Sequence, residues 1–128
     1  MTLFDLVSLE AAIASGIGVL VFAGVYLVLR ARSFDVILGL TLLSYATNLL
    51  IFSSGRLVVG KPPVLQPGME ATLANHTDPV PQALVLTAIV ISFAMTAVVI
   101  VLAMRSRADN DSDHVDAGDV PDDREVHR

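Results

Sequence analysis

Among the uncharged polar side chains that interrupt the apolar stretches of this chain, six are candidates for a polar path or for interhelical contacts: Thr41, Ser44 and Asn48 in one stretch, Gln82, Thr87 and Ser92 in another. Hydroxyls and carboxamides donate and accept hydrogen bonds, so they can hold water or bind a neighbouring helix. On a helix turning about 100° per residue, Thr41, Ser44, Tyr45 and Asn48 fall on one stripe. In a membrane such a stripe must face protein or water, because lipid offers no partners. Two readings stay open: interhelical hydrogen bonding, or the lining of a hydrated ion path. For Thr87 there is a third, a bond back to the carbonyl of Ala83 one turn earlier.

The missing chemistry narrows the function. None of the three long apolar runs contains Asp, Glu, Lys, Arg or His. Proton and cation carriers usually keep such a group at membrane depth despite a cost of roughly 2.5–3.5 kcal/mol. No nucleotide-binding glycine loop or Ser/His/Asp set is present, and cysteine is absent. His76 stands alone in the membrane-associated part, which argues against a metal site. Asp109, Asp111 and Asp113 imitate the start of a calcium loop, but His114 and Val120 occupy the positions that need Gly and Glu. Neither an enzyme nor an autonomous pump is expected, and no cofactor, metal or nucleic acid partner is called for.

The elements that must position the polar stripe are membrane spans. The chain has 128 residues, 54% of them hydrophobic, and a mean hydropathy of +0.69. That is too apolar for a soluble domain of this size. Spans are expected at about 11–29, 36–55 and 80–104, giving an all-α integral membrane protein of three transmembrane helices. Asp78 suits an N-cap for the third, with Pro79 at its first position. Residues 1–9 carry no Lys or Arg, and the first run stops at Arg30 and Arg32, so an uncleaved span is expected rather than a signal peptide. Glu10 reads as a helix-start residue favoured by the dipole. Ala12, Gly16 and Gly24 form a small-residue stripe of the kind that lets helix backbones approach closely.

Outside the spans, 56–77 reads as a polar hairpin broken by prolines and Gly68, with Asn75-His76-Thr77 as a formal glycosylation sequon. The membrane domain is placed at 1–107 and a disordered acidic tail at 108–128, which holds eight acids against Arg124 and Arg128. Arg30, Arg32, Arg105 and Arg107 share one side, against Arg56 and Lys61 on the other. The positive-inside rule then puts the N-terminus outside and the C-terminus in the cytoplasm.

Two segments carry a family resemblance. Asp78-Pro79-Val80-Pro81-Gln82-Ala83-Leu84-Val85-Leu86-Thr87-Ala88-Ile89-Val90-Ile91 and Gly39-Leu40-Thr41-Leu42-Leu43-Ser44-Tyr45-Ala46-Thr47-Asn48-Leu49-Leu50 resemble the C subunit of Mrp-type multisubunit sodium/proton antiporters. That family is similar to the K subunit of bacterial respiratory complex I. The resemblance covers residues 8–105 and implies a three-helix subunit wedged between large antiporter-like subunits of a prokaryotic plasma membrane. In the complex I relative two spans each carry a glutamate; an ungapped match puts these at Thr41 and Ser92 here. The resemblance implies that exchange of sodium ions and protons belongs to the whole complex, with this chain an accessory subunit in the bilayer. The rival readings are a purely structural assembly subunit and a small multidrug exporter coupled through Glu10.

Overall fold

The computed structural model of the chain describes residues 2–55, 60–72 and 74–116. Three helices follow one another, α1 (Leu3–Val28), α2 (Ser33–Ser54) and α3 (Pro79–Asn110). All three are long and apolar enough to cross a membrane. α2 packs against both of the others, while α1 and α3 do not touch. The helices therefore stand in a row with α2 in the middle. The row has an arginine end, where α1 turns into α2 and α3 stops, and a hairpin end, where 60–78 links α2 to α3.

α1 starts at Leu3, earlier than the expected residue 11. Asp5 explains the difference: its carboxylate accepts from the Thr2 amide at 3.2 Å and from the Thr2 hydroxyl at 2.8 Å, which closes the first turn. Glu10 consequently lies inside the helix and is not its cap, a correction to the sequence reading. α2 begins at Ser33 behind Arg32, a poor N-cap whose side chain makes no capping bond. α3 begins as its sequence implies, with Pro79 first and the Asp78 carboxylate accepting from the Val80 amide at 3.0 Å. It runs past residue 104 to Asn110, supported by Arg105 and Asp109 one turn apart at 3.2 Å. At 1.5 Å per residue its 32 residues rise about 48 Å, so its last turns stand clear of a hydrocarbon core of about 30 Å.

The tail expectation needs a matching correction. Residues 108–110 belong to α3, and 111–116 fold back onto the α1–α2 turn, where Arg32 and His114 form an antiparallel bridge. Residues 117–128 lie outside the described part. Arg56 does too, whereas Lys61 is in the hairpin. There Lys61 donates from Nζ to the Ala74 carbonyl, and its own carbonyl accepts from the Thr77 hydroxyl at 2.7 Å. His76, buried, has Nδ1 3.3 Å from the Pro62 carbonyl oxygen. Pro81 closes this end against Gly55: a Cβ on Gly55 would meet Pro81 Cγ at 2.7 Å.

The α1–α2 contact depends on two glycines. A Cβ placed on Gly39 would come within 2.6 Å of the Gly24 carbonyl oxygen and 2.8 Å of the Val28 nitrogen. A Cβ on Gly24 would strike Leu43 Cγ at 2.8 Å. Gly24 thus acts as the small-residue stripe implies, but Gly16 of the same stripe has open space around it and Ala12 is exposed. Ala46, one of two buried apolar side chains among the described residues, lies on the Gly39 side of α2; the other is Val85 of α3. With so little buried, the three helices leave most of their apolar surface for lipid and for other proteins.

A side chain at residue 39 must push the two backbones apart. We expect Gly39→Val to destabilise the chain by about 1–3 kcal/mol, the usual penalty for overpacking. Gly18→Val, at a position with no neighbour within 4 Å, should cost far less. Denaturation of the purified chain in detergent measures both, and equal behaviour of the two variants would contradict the close contact.

Candidate functional site

The seam between α2 and α3 collects the polar residues. At 100° per residue, Thr41, Ser44 and Asn48 lie on the side of α2 opposite Gly39, Leu43 and Ala46. The face that is small and apolar meets α1, and the polar face is left for α3. A groove of about 400 Å³ runs along one flank of the seam, lined by Thr41, Ser44, Tyr45 and Asn48 from α2 and by Ser92 and Thr96 from α3. A second groove of about 410 Å³ runs along the other flank, lined by Ser44, Thr47 and Asn48 from α2 and by Ala88 and Ser92 from α3. Ser44, Asn48 and Ser92 border both. Three short polar side chains are thus the partition between two open grooves at mid-height.

Their hydrogen bonds decide what each can do. Thr41 donates to the Ile37 carbonyl at 2.9 Å, Ser92 to Ala88 at 2.7 Å and Thr96 to Ser92 at 2.8 Å. These hydroxyls have spent their proton on their own helix and keep oxygen lone pairs as acceptors. The side chains of Ser44 and Asn48 find no partner among the described residues, yet both are half-buried. Asn48 can donate twice and accept twice, and Ser44 can do both at once. Polar groups of this kind in an apolar wall hold water or a neighbour's polar group.

Of the residues singled out in the sequence, Thr41, Ser44, Tyr45, Asn48 and Ser92 come together here, and Thr96 joins them. The positions that match the two glutamates of the complex I relative, Thr41 and Ser92, line the same groove. Thr87 does not belong: it is exposed, lines neither groove and bonds to the Ala83 carbonyl at 3.2 Å. Gln82 stands half-buried in the first turn of α3 and lines neither groove, although Val85, one turn on, lines the first. Glu10 lines a separate recess near the hairpin end, with Ile13, Ala14 and Ile17 of α1 and Leu50 and Ser53 of α2.

Comparison with known proteins fits this arrangement. Residues 12–120 match the family described as NADH-ubiquinone/plastoquinone oxidoreductase chain 4L. The chain is 57% identical over 108 residues to the probable C subunit of a K(+)/H(+) antiporter from Rhizobium meliloti, covering 84% of this chain and 94% of that one. It is 41% identical over 110 residues to the C1 subunit of a Na(+)/H(+) antiporter from Staphylococcus saprophyticus, at 84% and 92% coverage. Among solved structures, a chain of the Mrp complex from Dietzia sp. superposes with a TM-score of 0.69 at 38% identity, covering 85% of this chain and 80% of that one. A chain of the membrane-bound sulfane sulfur reductase, an archaeal respiratory membrane complex, does so at 0.70 and 33%, covering 81% and 94%.

The hydrogen bonding separates two residues that look alike in sequence. Thr87→Val removes a hydroxyl that already bonds to its own helix, and we expect a stability change within about 0.5 kcal/mol, as for an ordinary surface substitution. Unfolding of the purified chain in detergent measures it. A loss well above that range would show that Thr87 bonds across to another helix.

Proposed function

The chain belongs to the NADH-ubiquinone/plastoquinone oxidoreductase chain 4L family, and from that premise we propose how its three helices serve a cation/proton antiporter. The protein is a small multi-pass subunit of a multisubunit cation/proton antiporter in a prokaryotic plasma membrane. Its partners are the other subunits of that complex. Its own part is to hold a hydrated polar crossing between larger subunits, at the α2–α3 seam. The observation that carries this reading is the pair of grooves that share Ser44, Asn48 and Ser92.

The seam works without titrating. Its hydroxyls and carboxamide do not change charge near neutral pH, so they cannot store a proton; they can only order the water along which one passes. Ionisable groups at either end are then the task of the neighbouring subunits. A self-contained exporter driven by Glu10 is disfavoured, because Glu10 lies near the hairpin end of α1 and is remote from the seam. The rival that keeps a specific observation is the structural subunit: Thr41, Thr87 and Ser92 all turn their hydroxyls to their own helices. As to the cargo, the relatives are named for potassium and for sodium alike, so sodium and potassium should both be assayed.

Ser44 and Asn48 decide between relay and scaffold. We expect Asn48→Leu and Ser44→Ala to leave the complex assembled, because an interhelical bond in lipid is worth about 0.6 kcal/mol on average. Cation/proton exchange in membrane vesicles should fall in both. Full exchange in both variants would leave the seam as packing; loss of complex recovery in step with exchange would favour the structural subunit.

The orientation is part of the same proposal: the arginine end, with Arg30, Arg32, Arg105 and Arg107, faces the cytoplasm. Cysteines introduced as Met69→Cys in the hairpin and Asn110→Cys at the end of α3 should react with impermeant reagents from opposite sides, Met69→Cys from outside. Reaction of both from one side would refute the orientation.

A further inference from the structure

The groove on the Tyr45 flank does not end at mid-height. Thr41 and Thr96 line it, and they also line a third groove of about 380 Å³ that continues between α2 and α3 to the arginine end. Its walls are Phe34, Ile37 and Leu38 of α2 and Ile100 and Met104 of α3. At its mouth stand Arg107 and Asp113. One continuous depression thus joins the polar seam to the arginine end of the bundle, and its last lining residue comes from beyond α3.

That residue is held in place by a small, well-defined turn. Asp111, at φ 52° and ψ 20°, takes the left-handed conformation that ends α3 and reverses the chain. The Ser112 hydroxyl accepts from the His114 amide at 3.1 Å, which tightens the reversal. The segment then pairs with the α1–α2 turn on both sides of the Arg32–His114 bridge. The Ser33 amide donates to the Asp113 carbonyl at 2.9 Å, and the Val115 amide donates to the Ala31 carbonyl at 2.9 Å. Arg32 Nε and the Asp113 carboxylate lie 3.7 Å apart.

This pairing answers a local need. Ser33 is the first residue of α2, and Arg32 before it offers no capping side chain. One of the orphan amides of the first turn, that of Ser33, takes instead the carbonyl of Asp113, just beyond the end of α3. Since α1 and α3 do not touch, this segment also ties the arginine end of α3 to the α1–α2 turn.

We propose that residues 111–116 are a strap that closes the arginine end of the α2–α3 groove, and that its release opens the polar seam to water from that side. The strap is suited to opening: Arg32 is 70% exposed at its side chain, so the ion pair is screened, and among the described residues two backbone bonds tie the segment to the α1–α2 turn. Its opening would admit water past Ile37 and Ile100 to Thr41, where the seam begins. The inference rests on the hydrated-seam reading for its consequence, though not for its geometry.

The test measures access directly, in the assembled complex, with reactive cysteines of other subunits replaced. This chain has no cysteine of its own, so Thr41→Cys is its one free thiol, provided that any cysteine pair introduced as a lock is first oxidised to its disulfide. Val115→Pro deletes the amide that binds the Ala31 carbonyl and should free the strap. Arg32→Cys with His114→Cys should lock it, since a facing pair of this type holds its Cα atoms about 4.5 Å apart, within disulfide range. A sulfonated maleimide applied from the arginine side should label Thr41→Cys several-fold faster with the strap freed, and more slowly with it locked, than in the unmodified strap. Equal rates in the freed and locked complexes would overturn the strap. Exchange measured in the same vesicles speaks to the seam separately: a labelling change without any change in exchange would keep the strap and remove the hydrated-seam reading.

Discussion

The fold depends on how close α1 can come to α2. Gly24 and Gly39 meet backbone to backbone, and no side chain larger than hydrogen fits at either position. With no hydrophobic drive between helices in lipid, close packing of small residues is what holds such a pair together. The contact fixes the rotation of α2: once the Gly39 face is committed to α1, the face bearing Thr41, Ser44 and Asn48 can only meet α3. Two glycines on one side thereby place three polar groups on the other.

The same geometry explains why the chain is a subunit. A row of three helices has no interior, and Ala46 and Val85 are the only buried apolar side chains among the described residues. Most of the other large apolar residues are exposed, as surface for lipid or for protein. Two open grooves flank the polar seam, and a groove that runs between two membrane helices is a place for a neighbour to complete. The relatives that share most of this chain's length are themselves named as subunits, in keeping with a molecule that supplies a wall and not a whole site.

What was legible in the sequence was local. The charge-free runs gave the three spans, and Asp78 with Pro79 gave the start of α3, because a cap acts within a few residues of itself. The Thr41, Ser44 and Asn48 stripe follows from helical periodicity, and its partner helix follows once one face is used. Three features were hidden for physical reasons. The Thr2–Asp5 turn draws an unbroken helix back to Leu3, so Glu10, which the sequence places at a helix start, lies inside the helix. The Arg105–Asp109 pair carries α3 beyond its apolar run. The strap joins 31–33 to 113–115 through backbone groups, which leave no mark in residue type, and the acidic composition of the tail pointed the other way. Thr87 and Gln82 looked like Ser92 in the sequence because only their places on the helix, and not their types, separate them from the seam.

The central claim is that Ser44, Asn48 and Ser92 keep water between two larger subunits. The most direct test is a density map of the assembled antiporter at a resolution that shows individual waters. Ordered water is predicted within hydrogen-bond distance of the Asn48 carboxamide and the Ser44 hydroxyl, in the grooves on both flanks of the seam. Grooves filled on both flanks by apolar side chains of the neighbouring subunits, with no water at Asn48, would contradict the claim.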